Sequence, residues 1–127
     1  MEWREQKPGI DGASGGTRHR WLEALATREE LTRFCEAAAV AIAGVNSDWF
    51  LGIMPGMLFF ASYSFAAYRL LGPLGPGAKF RITVSLTERT DGYGWNERAG
   101  AGVFSEADFA TLFGEPTPYS PPVIKRG

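Results

Sequence analysis

Trp49-Phe50-Leu51-Gly52-Ile53-Met54-Pro55-Gly56-Met57-Leu58-Phe59-Phe60-Ala61-Ser62-Tyr63-Ser64-Phe65-Ala66-Ala67-Tyr68 is the stretch on which the fold turns. No charged residue occurs between Asp48 and Arg69. An uncharged run of about 20 residues is long enough to span a bilayer, and Gly52 and Gly56 form a G-x-x-x-G pair of the kind used between membrane helices. Pro55-Gly56 interrupts the run early, however, and Ser62, Tyr63, Ser64 and Tyr68 dilute it. Few basic residues flank it in a way that sets orientation. A membrane span over 49–71 is therefore not the favoured reading, and the stretch is read as buried inside folded protein. Divided at Pro55, it yields a short helical turn and a second element over 57–71. As a helix, that element places Ser62 and Arg69 on one narrow polar strip. As a strand, it gains from Phe59, Phe60, Tyr63, Phe65 and Tyr68, which suit a pleated surface. Helix is the preferred assignment of the two.

Upstream, Trp21, Leu22 and Leu25 suggest a short helical turn. Thr27 followed three residues later by Glu30 is a capping box. Leu31, Phe34, Cys35, Ala38, Ala41, Ile42 and Val45 then recur with a helical period. This predicts a helix over 28–43, ended by Gly44 in a left-handed conformation. Residues 1–16 are polar and Gly-rich and are read as a flexible arm. Trp3 and Ile10 are the groups able to pin it.

Downstream, Gly72-Pro73-Leu74-Gly75-Pro76-Gly77 is a loop signal. Phe80, Ile82, Val84 and Leu86 alternate with Arg81, Thr83, Ser85 and Thr87, which predicts a strand with one buried face. Thr90-Asp91-Gly92 marks a turn, and a partner strand is expected over about 93–104. Ser105 is taken as the N-cap of a last short helix, with Phe104 packing on Phe109 and Gly114 ending it. Residues 115–127 carry four prolines at 116, 118, 121 and 122 and are read as an extended tail or linker. The expected fold is thus α+β: N-terminal helices packed on a small antiparallel sheet, a short C-terminal helix and a Pro-rich tail, with one domain over 17–114.

The totals narrow the function. The chain has 127 residues, a net charge of −1, one cysteine and one histidine. There is no basic field for nucleic acid, which is disfavoured as a partner. A lone Cys35 excludes an internal disulfide or a zinc site built on several cysteines, and no metal or other cofactor is expected. Met1–Pro8 lacks the apolar run of a signal peptide, so the cytoplasm is the expected location. His19 lies between Arg18 and Arg20, Cys35 on an apolar helix face; Asp48, Glu88 and Asp91 have simpler uses as cap, strand end and turn. No catalytic residue is assigned.

The segment Gly92-Tyr93-Gly94-Trp95-Asn96-Glu97-Arg98 combines large aromatics with Asn and Arg, residue types frequent at binding hot spots. Tyr93, Trp95, Asn96 and Arg98 are the expected partner-binding residues. The expected function is a non-catalytic accessory module that binds a protein partner or forms a homo-oligomer through its aromatic surface. The alternative is a small-ligand pocket, or a cofactor-free enzyme, lined by Asp48, Tyr63 and Tyr68 between helices and sheet.

Overall fold

The computed structural model describes residues 1–7, 16–68, 78–98 and 103–121. Its strands are β1 (Trp3–Glu5), β2 (Thr17–Thr27), β3 (Val45–Asn46), β4 (Leu58–Ala67), β5 (Lys79–Arg89) and β6 (Glu106–Ala107). Its helices are α1 (Arg28–Ala41), α2 (Trp95–Arg98) and α3 (Phe109–Phe113). The strands form one sheet in the order β1-β2-β5-β4-β3-β6, curled into a half-barrel. All neighbours run antiparallel except β3 and β6, which are parallel.

This corrects the expected fold class. Among the described residues, strand makes up 42% and helix only about 22%, and the N-terminal part contributes strands rather than a set of helices. Residues 17–27, expected to hold a helical turn, are an eleven-residue strand. Leu22, Ala24 and Ala26 face inward and are buried, while Trp21 and Leu25 face out. Two large apolar side chains on the outer face hide the alternation that marks a half-buried strand. Residues 3–5, placed in the flexible arm, pair with Leu22–Ala24, and Trp3 is buried. Residues 8–15 and Ile10 lie outside the described residues.

The second correction concerns the expected helix over 57–71. Leu58–Ala67 is a strand paired with β5 along its length, with a bulge between Phe60 and Ser62. The bulge shifts the phase. Leu58 and Phe60 point inward before it; Tyr63 and Phe65, paired with Val84 and Ile82, point inward after it. One extra residue thus moves the inner face from even to odd positions, which removes the period-two signal from the sequence. Residues 69–71 lie outside the described residues, as does the Gly72–Gly77 loop.

The third correction lies downstream. The described residues of 93–104 contain helix α2 and no strand, residues 99–102 lie outside the described residues, and β5 instead pairs with β2 and β4. The last helix starts later than expected. Asp108, not Ser105, is its N-cap and accepts from Ala110 N–H and Thr111 N–H. Phe104 does not form the expected staple with Phe109; its ring packs on Phe59 and Trp95.

The core fills the inner face. Leu22, Phe60, Ile82, Val84 and Leu86 of the sheet meet Leu31, Phe34 and Ala38 of α1 and Phe109 and Phe113 of α3. The C-terminal segment closes the half-barrel. It pairs with β3 at one edge through β6, lays α3 in the core, and reaches the other edge, where Glu5 N–H donates to Thr117 O at 2.8 Å and Thr117 N–H to Trp3 O at 3.0 Å. Part of the expected tail is therefore a short parallel addition beside β1, and Pro116 is buried.

Helix α1 carries the capping box expected from Thr27 and Glu30. The helix stops at Ala41 and Ala43 takes a positive φ of 65°, so the left-handed residue is not Gly44. Gly44 is needed for close approach: a Cβ there would lie 2.7 Å from Ser105 O and 2.8 Å from Ala41 O. Backbone N–H of Thr27 and the N-terminal amine hold the Glu30 carboxyl down at about 2 from an ordinary 4.5. A carboxylate held low adds stability that is fully present above about pH 4.5 and is lost as pH falls through the folded value. Thermal denaturation followed from pH 5 to pH 2 is therefore expected to show a falling midpoint, part of which disappears in Glu30→Gln. Thr27→Ala is expected to cost about 1 kcal/mol at pH 7, read by urea unfolding.

Candidate functional site

One end of the half-barrel is built around Asn46. Its side chain is buried in a loop that would otherwise leave Leu58 N–H and Asp48 O unpaired. Nδ2 donates to the carbonyls of Asp48 at 2.9 Å, Met54 at 3.0 Å and Ile53 at 3.3 Å. Oδ1 accepts Leu58 N–H at 3.0 Å, and Asn46 O accepts Gly56 N–H at 2.8 Å. An amide is the right group because it offers donors and an acceptor on one planar head.

Within this loop, Phe50 and Ile53 exchange backbone hydrogen bonds across Leu51-Gly52. Both central residues have positive φ, 51° and 74°, the conformation of a tight type I′ reversal. Leucine in that region is strained, and the paired flanks hold it there. Phe50 and Ile53 turn into the core, which leaves Trp49 and Met54 outside, 61% and 53% exposed.

A second loop is fastened to the first. Trp95 N–H donates to Gly56 O at 3.0 Å, and the indole Nε1–H donates to Met57 O at 3.0 Å and Thr87 O at 3.2 Å. Trp95 packs on Phe59 and Phe104, with the Arg89 guanidinium over its ring at 5.0 Å. Asn96 clamps the return of the chain: Nδ2 donates to Phe104 O at 3.1 Å and Oδ1 accepts Phe104 N–H at 2.6 Å. Glu97 accepts Gly94 N–H at 2.8 Å. Tyr93 lies on this loop, 53% exposed.

The residues expected to bind a partner are thus divided. Trp95 and Asn96 spend their polar groups inside the chain, Tyr93 remains exposed, and the Arg98 side chain lies outside the described residues. The residues expected to line a pocket are not brought together. Asp48 is exposed in the Asn46 loop, where its Oδ1 accepts Trp49 N–H at 2.8 Å. Half-buried Tyr63 faces inward between Phe34 and Phe60; burial and the neighbouring Cys35 thiol push its hydroxyl upward. Tyr68 stacks with Arg81, which lies on the outer face. An open cleft of about 650 Å³ lies elsewhere, between Trp3, Arg4, Glu23, Leu25, Glu30 and Lys79.

Glu88, read as a strand end, joins a polar cluster at the end of the inner face. Arg20 bonds Glu5 through Nε and Glu88 through a terminal nitrogen at 2.9 Å. Burial would raise the Glu5 carboxyl, but the Arg20 hydrogen bond, Tyr119 N–H and the Arg20 charge outweigh it and hold Glu5 below its ordinary value. Burial likewise opposes the charge of Arg20, and its two carboxylates more than offset this. Each member is satisfied by the others, so the cluster ties β1, β2, β5 and the C-terminal segment together.

Trp49 and Met54 are the exposed groups that attention to Tyr93-Trp95 passes over. They flank the Phe50–Ile53 pair, whose side chains the Leu51-Gly52 reversal turns into the core. Among the described residues, no group of His, Cys, Asp and Glu is placed to hold a metal ion, and no helix is long and apolar enough to cross a membrane. No family model, curated protein or solved structure matches the chain.

Proposed function

We propose that the chain is a non-catalytic interaction module of the cytoplasm that binds a protein partner through the loop end carrying Trp49, Met54 and Tyr93. The observation that carries this is the combination of exposure and fixation. These large side chains meet solvent, yet their loops are pinned by Asn46, by the Phe50–Ile53 pairing and by Trp95. Rigid aromatic groups bind with little loss of conformational entropy, and Trp and Tyr dominate interface hot spots.

The test is site-specific photo-crosslinking in cells of the natural host. A photoreactive phenylalanine analogue at position 49 or 93 is expected to yield one discrete protein adduct. The same group at Val40, which is 86% exposed on α1, is expected to yield none. The captured protein, purified, should bind the unaltered chain saturably and Trp49→Ala at least about tenfold more weakly, the loss of one modest hot spot. Adducts at position 40 equal to those at 49 and 93, or equal binding by Trp49→Ala, would overturn the proposal.

A further inference from the structure

Among the described residues, strand β4 has one open edge. On its other side β5 follows it throughout, but β3 meets it only at Phe59. Ala43 N–H donates to Phe60 O and Phe60 N–H to Gly44 O, and the pairing ends there. Past the bulge, Tyr68 N–H donates to Lys79 O at 2.8 Å. Backbone groups alternate in direction along an antiparallel strand. Ser62, Ser64 and Ala66 therefore turn their backbone toward β5, while Tyr63, Phe65 and Ala67 turn N–H and C=O to the open side. No described residue pairs with these groups. Apart from half-buried Tyr63, residues 61–67 are exposed, Phe65 by 51%.

Sheets usually blunt such an edge with charge, proline or a covering segment, because an open ladder is a template for another strand. Ala61-Ser62-Tyr63-Ser64-Phe65-Ala66-Ala67 contains neither charge nor proline. We infer that this edge pairs antiparallel with the same edge of a second copy of the chain, about a two-fold axis through Phe65.

The occupant follows from self-complementarity. An isologous contact must fit its own residues reversed. With Phe65 opposite Phe65, Tyr63 of one copy faces Ala67 of the other, so large meets small on the inner side. Ser64 faces Ala66 on the outer side. No like charges are opposed along the strand, and a net charge of −1 per chain adds little long-range repulsion. The outward residues form hydrogen-bonded pairs that exchange two bonds each, about six across the contact. Ile42, exposed beside the bulge where Ala43 bonds Phe60, adds apolar surface. The contact is still small beside the roughly 1,600 Å² of a standard interface, so dissociation is expected on the order of 10 μM rather than nanomolar. The inference rests on β4, not on the loop end of Trp49, and either can fail alone.

Sedimentation velocity of the full chain from about 1 μM to 500 μM, spanning that constant, tests it. Reversible dimerisation is expected. Phe65→Lys, which opposes two charges on the axis, and Ala67→Pro, which deletes only an outward N–H, should each shift dissociation at least tenfold upward. Val40→Lys should dimerise like the unaltered chain. Circular dichroism and melting temperature confirm that each variant folds. A chain monomeric at 500 μM, or dimerisation undiminished in both edge variants, overturns the inference.

Discussion

Phe113→Ala is expected to destabilise the fold by about 3–5 kcal/mol, the range for emptying a buried aromatic site. The Phe113 ring is 2% exposed. Its centroid lies 5.1 Å from that of Trp3, 5.7 Å from Phe50 and Phe60, 5.8 Å from Phe109 and 6.0 Å from Phe34. Those rings come from β1, the Asn46 loop, β4, α3 and α1, so no single element can shift to fill the gap. The effect also reaches beyond the cavity. Helix α3 has five residues, too few to persist without packing. Undocking it releases the segment that leads to Thr117 and Tyr119. Hydrogen exchange should therefore accelerate at the Glu5 and Thr117 amides as well as around position 113. Urea unfolding gives the loss of stability; a cost under about 1 kcal/mol, below the range for such truncations, would show that the C-terminal segment is not part of the core.

Asn46→Leu is expected to cost about 2–4 kcal/mol, although leucine matches asparagine closely in size. Leu58 N–H and Asp48 O lose their bonds to the side chain, and a buried polar group left unpaired costs about 1–3 kcal/mol. Ile53 O and Met54 O suffer less, since Phe50 N–H and Met57 N–H still reach them. Asn46→Asp is expected to be worse at neutral pH, because a carboxylate would face the carbonyls that the amide donates to. Urea midpoints measure both. Loosening of the loop should also be visible at Trp49, through greater mobility in fluorescence anisotropy.

Only part of this architecture was legible in the sequence. The Thr27–Glu30 box is a local device, satisfied by neighbours in the chain, and it starts α1 where it was expected. The alternation of Phe80 to Leu86 survives because β5 is regular and central. The strands on either side were hidden, each by a particular departure from regularity. In β2, outward Trp21 and Leu25 make the polar face look apolar. In β4, the bulge after Phe60 reverses the phase halfway. Trp95 and Asn96 were read as partner-binding residues, but their polar atoms meet backbone distant in sequence, at Met57, Thr87 and Phe104, which no local pattern shows. Asn46 was overlooked for the same reason. A buried asparagine is recognisable only once the loop it organises has been folded around it.

The open edge and the reversed phase both depend on the uncharged stretch over 58–67 being a strand in the stated register with β5. Nuclear Overhauser contacts between α protons test this most directly, since pairs that do not exchange hydrogen bonds bring those protons close. Contacts between Tyr63 and Val84 and between Phe65 and Ile82 are expected. Helical contacts between residues three apart across 58–67, or α-proton contacts displaced by one residue from these pairs, would contradict the strand and everything built on it.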